Sequence, residues 1–147
     1  MLTAIDIKKF DENGFIEIKK LIDLKDLNKI KKKYKKIFDG KYSTDVVPDK
    51  IKWVKGRDAN DIPRSLCNVW KSEIDIAKIV LSAKIGEAAA KLSRWKSTKL
   101  NQDSLIWVPP KAGTVTFHED NPYQDWHVPG GVITAWIPIE DTSINGA

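Results

Sequence analysis

The sequence predicts an α+β fold, with helices in roughly the first two thirds and short antiparallel strands in the last third. Three observations carry this. Apolar residues recur at helical spacing between residues 24 and 38. The period then shortens to that of strands beyond about residue 95, where apolar runs are bounded by Pro, Gly and Asp. Helices followed by strands, rather than alternating with them, is the α+β order. At 147 residues, 41% hydrophobic with six tryptophans, the chain can build one core. The expectation is a single domain over 1–147, helical over about 1–94 and strand-rich over about 95–147.

Each element has its own signal. Ile5 to Asn13 reads as a short helix stopped by Asn13-Gly14, and Phe15–Ile18 as a brief strand. Asp23 is placed to cap a longer helix running to Phe38. Its apolar set is Leu24, Leu27, Ile30, Tyr34, Ile37 and Phe38, which leaves Lys31, Lys32, Lys33, Lys35 and Lys36 mostly on a solvated face. Residues 40–68 read as irregular, punctuated by Gly40, Pro48, Gly56 and Pro63. Ser72, with Asp75 three residues on, resembles the opening of a helix, and a further short helix follows through KIGEAAAKLSR. Then come three strand-like runs: KLNQDSLIWVPP, AGTVTFHED and GVITAWIPIED.

Charge is divided unevenly. Residues 1–99 hold 24 Lys and Arg against 14 acids, whereas residues 100–147 hold only Lys111 against Asp103, Glu119, Asp120, Asp125, Glu140 and Asp141. The acidic portion suits a cation and the basic portion a polyanion. The lone Cys67 forms no internal disulfide and reads as a structural thiol. No apolar run approaches the roughly 20 residues of a membrane helix, and the N-terminus lacks an apolar signal core. A cytoplasmic protein with neither membrane nor nucleic-acid partner is expected, since no stacking platform accompanies the lysines.

Both histidines lie in TFHEDNPYQDWHVPGG. His118 and Asp120 are two apart after the run TVTF, and on extended backbone such residues share a face. A neutral imidazole nitrogen and a carboxylate oxygen suit a divalent first-row metal. With a second histidine they compose the two-His-one-carboxylate set that leaves open positions on iron. The same residues also suit an acid/base site, or a loop with incidental histidines.

The order LNQDSLIWVPP, FHEDNPYQDWH, VITAWIPIEDTSINGA resembles the phytanoyl-CoA dioxygenase family of iron(II)/2-oxoglutarate oxygenases, and FDENGFIEIKKLID is similar to that family's opening helix and strand. The resemblance implies N-terminal helices packed on a double-stranded β-helix, a jelly-roll or cupin-like barrel. It implies Fe(II) as metal, 2-oxoglutarate as co-substrate and a small organic molecule as substrate. Carried over by position, His118 and Asp120 match the first two iron ligands, and Gln102 and Trp136 match the surroundings of the 2-oxoglutarate pocket. Trp126 and His127 are similar to a W-H that lines the substrate side in some members, and Tyr123 and Trp126 suit ordinary packing as well as substrate contact. Val108 stands where many relatives have the lysine of K-P-P, and Glu119 replaces a frequent glutamine between the ligands. The family pattern continues into strands that supply a distal histidine and an arginine, whereas this sequence ends at Asn145-Gly146-Ala147. The expectation is therefore the N-terminal portion of an oxygenase, its barrel incomplete without those strands. The alternative is a non-catalytic basic module that binds an anionic partner through the lysine-rich half.

Overall fold

The computed structural model describes residues 2–113, 118 and 131–141. Helix α1 (Ala4–Asn13) opens on a capping box. The Thr3 hydroxyl accepts the Asp6 N–H at 3.2 Å, and the Asp6 carboxylate accepts the Thr3 N–H at 2.7 Å. Two donors that a helix start leaves orphaned are thereby satisfied. The helix stops as expected at Gly14, whose φ of 77° turns its N–H back onto the Phe10 carbonyl at 2.8 Å. The strand expected at Phe15–Ile18 is not formed. Among the described residues no ladder partner lies beside it, and Phe15 is exposed.

Helix α2 (Leu24–Phe38) spans the expected range and buries Ile30, Ile37 and Phe38, with Leu27 and Tyr34 half-buried against the same core. Asp23 occupies the N-cap without a capping bond; its carboxylate lies 3.5 Å from Lys84 Nζ instead. Ser72 does not cap the next helix either. It is fully buried at the end of a 3-10 turn (Val69–Lys71), and α3 (Ile74–Val80) starts two residues later. Glu73 is the cap, accepting the Asp75 N–H at 3.2 Å, while Ser43 Oγ accepts the Ile74 N–H at 2.8 Å. A residue distant in sequence shares the role that local spacing assigned to Ser72. Helix α4 (Ala83–Ser93) ends at Arg94 in the left-handed region, and that side chain clamps Asp11 of α1 with two hydrogen bonds.

Residues 40–68 hold two strands that their irregular composition concealed. Strands β1 (Lys50–Ile51), β2 (Arg64–Cys67) and β3 (Ser104–Trp107) form an antiparallel sheet in that order, open among the described residues. The register pairs Arg64 with Trp107, Ser65 with Ile106, Leu66 with Leu105 and Cys67 with Ser104. Alternation sends Arg64, Leu66, Leu105 and Trp107 to one face, and that face joins Ile30, Ile37 and Phe38 of α2 and Ile76 and Ile79 of α3 in the core. The run expected as a strand at residues 131–141 forms no ladder among the described residues. Its Ile137 and Ile139 still pack on the core, and Glu140 approaches Lys31 of α2 at 3.9 Å. The architecture is α+β, with helices covering one face of a small antiparallel sheet.

Candidate metal centre

The opposite face of the sheet carries the first functional candidate. Ser65, Cys67, Ser104 and Ile106 point away from the helices, and Ile106 is 60% exposed. Gln102, two residues before Ser104, joins the same face. Its Nε2 donates to Ser104 Oγ at 3.4 Å and contacts Cys67 Sγ at 3.9 Å, while Cys67 Sγ and Ser104 Oγ are 3.8 Å apart. Cys67 is half-buried rather than enclosed. The sheet thus presents a carboxamide, a hydroxyl and a thiol together, able to hydrogen-bond a polar ligand lying across them.

Two features fix where Gln102 stands. Its neighbour Asp103 anchors the strand: the Asp103 carbonyl accepts the Asn68 N–H at 2.8 Å and its carboxylate accepts the Trp70 N–H at 3.2 Å. Burial pushes the Asp103 carboxyl above the usual range, against the opposing pull of the Trp70 and Val69 N–H groups. The core face supplies the second. The Arg64 guanidinium lies between the rings of Trp53 and Trp107, at 3.7 and 4.2 Å from their centroids, and Trp107 is met edge-on by Tyr34 of α2 at 5.2 Å. Arg64 is 7% exposed, its Nη2 donates to the Asn60 carbonyl at 3.0 Å, and its buried Nε has no partner among the described residues. Among the described residues no carboxylate pairs with it, and cation–π stacking takes the place of a counter-ion. The stacking of Arg64 on Trp53 and Trp107 left no signal in the sequence, where residues 40–68 read as irregular.

Of the other expected residues, His118, Trp136 and Val108 are among the described residues and the rest are not. His118 is exposed. Asp120, Glu119, Tyr123, Trp126 and His127 lie outside the described residues. Trp136 is 75% exposed, next to Ile137, which packs on the core, and Val108 is 42% exposed. Among the described residues, no hydrogen bond or ring contact joins Trp136 to Gln102, and no three His, Cys, Asp or Glu side chains are grouped to hold a metal ion. The donor chemistry of His118 and Asp120, one imidazole nitrogen and one carboxylate, fits Fe(II).

The family model for phytanoyl-CoA dioxygenase matches residues 10–147, from the end of α1 through the H-x-D pair and beyond. The class is that of the oxygenases that generally depend on Fe(II) and 2-oxoglutarate. This chain belongs to the phytanoyl-CoA dioxygenase family. No curated protein and no solved structure is significantly similar to it.

Proposed function

We propose that the chain carries the metal and co-substrate side of an Fe(II)/2-oxoglutarate dioxygenase acting on a small organic substrate. Family membership over residues 10–147 is the observation that carries this reading. The open sheet face with Gln102 is read as the interior lining of a double-stranded β-helix whose outer face is the one helix α2 covers. His118 and Asp120 are the protein donors to iron, and either His127 or a histidine outside residues 1–147 is the third. When bound, the iron supplies oxygen activation coupled to decarboxylation of 2-oxoglutarate to succinate, with hydroxylation of the substrate.

The side chains have separable tasks. His118 donates a nitrogen lone pair and so acts only as neutral imidazole. Asp120 adds a negative charge that offsets the cation. In this reading the Gln102 amide donates to a co-substrate carboxylate, a bond strengthened when water is excluded. Trp136 lines the co-substrate, and Tyr123, Trp126 and His127 border the substrate. Val108 offers only an apolar surface where relatives present a lysine.

Succinate formation from 2-oxoglutarate, with Fe(II), oxygen and ascorbate, tests this. Activity abolished by His118→Ala and Asp120→Ala is the expected outcome, in this chain or in one extended beyond residue 147. Loss with His127→Ala as well, together with weakened metal binding by that variant, assigns the third donor locally. Turnover indifferent to both His118→Ala and Asp120→Ala contradicts the proposal.

A further inference from the structure

Helix α2 carries seven lysines and a single acid, and the structure separates them into those that are paired and those that are not. Lys33 is held by Glu73 and Asp75, Lys29 by Asp26, and Lys31 approaches Glu140. Lys25, Lys32, Lys35 and Lys36 are exposed, with no acid in ion-pair reach among the described residues. Residues 25, 29, 32 and 36 follow three- and four-residue spacing, so their side chains stand in one row along the helix, about 16 Å from end to end. The neighbouring row contains Leu24, Asn28, Lys31 and Lys35, and Leu24 is 76% exposed at its N-terminal end. The core lies on the other side, through Ile30, Ile37 and Phe38.

We infer that this face docks on an anionic lipid surface. The row follows a convex helical ridge, so only a broad, flat partner meets all of its ammonium groups at once. All its cations are lysines, flexible point charges suited to a diffuse negative potential rather than to bidentate recognition of one phosphate. The exposed Leu24 adds an apolar contact at the headgroup boundary. A nucleic-acid strand is disfavoured because the two rows carry no aromatic side chain on which bases could stack; Tyr34 faces Trp107 instead. The inference is independent of the oxygenase reading, since no metal or co-substrate residue lies on α2.

Sedimentation of the full chain with vesicles tests it. One set is neutral phosphatidylcholine, the other contains about one third phosphatidylserine, both at low salt. The expected result is binding to the anionic vesicles alone, with the partition coefficient lowered roughly a hundredfold by K25Q/K32Q/K36Q. Circular dichroism of the variant, unchanged because these side chains are exposed, separates lost docking from lost folding. Equal binding to neutral vesicles overturns the inference, as does an unaffected triple variant. So does a duplex DNA competitor that strips wild type from the anionic vesicles when present at equal charge.

Discussion

At the scale of single residues, Arg64 shows how a charge is retained in a core with no carboxylate beside it among the described residues. Two desolvated cation–π contacts are worth up to about 2 kcal/mol each, against the cost of removing a guanidinium from water. The planar side chain also fills the gap between Trp53 and Trp107. Urea unfolding of two variants separates charge from volume. Arg64→Ala is expected to lose about 3 kcal/mol, because a void opens between two rings. Arg64→Leu restores most of the contact and is expected to lose about 1 kcal/mol. Equal losses would mean that the charge, not the packing, is what the stack of Arg64 on Trp53 and Trp107 requires. None of this was legible from the sequence. An arginine after a proline reads as loop, and only the ladder with Trp107, 43 positions away, reveals its face.

Among the elements, α2 was legible because its apolar period is long and unbroken, while its junction with α3 was not. The joint is an ionic cluster. Lys33 Nζ lies 2.9 Å from buried Glu73 and 2.5 Å from Asp75, residues 40 and more positions apart. The Lys33 hydrogen bond, helped by the charges of Lys33, Lys78 and Lys29, holds the Asp75 carboxyl below its usual range despite burial. A carboxyl depressed in the folded state contributes stability that is present above its unfolded value, near 3.9, and lost as pH falls through the folded one. Wild type should therefore lose stability from about pH 5 downward. Asp75→Asn should be about 1 kcal/mol less stable at pH 7, with a shallower acid limb. Thermal melts between pH 7 and pH 3 check this, and parallel curves for the two proteins would exclude Asp75 as a source of acid lability. Spacing misassigned the α3 cap for a related reason: Ser72 and Asp75 have the local pattern, but Ser43 arrives from outside it.

For the molecule as a whole, the α+β class followed from the change of period, and helices cover one sheet face while Ser65, Ser104 and the exposed Ile106 stand on the other. The jelly-roll expectation rested on resemblance, because a three-stranded antiparallel sheet is common to many folds. His118 and Asp120 drew attention through residue type and spacing, and through an acidic context opposite to that of the basic first two thirds. Whether that pair is a metal centre is the central claim, and calorimetric titration with Mn(II), a redox-stable surrogate for Fe(II), tests it most directly. Binding by wild type should weaken as pH is lowered, because the metal requires neutral imidazole. Asp120→Ala and His118→Ala should each lower affinity by about tenfold or more. Titration curves that superimpose for wild type and Asp120→Ala would contradict the account.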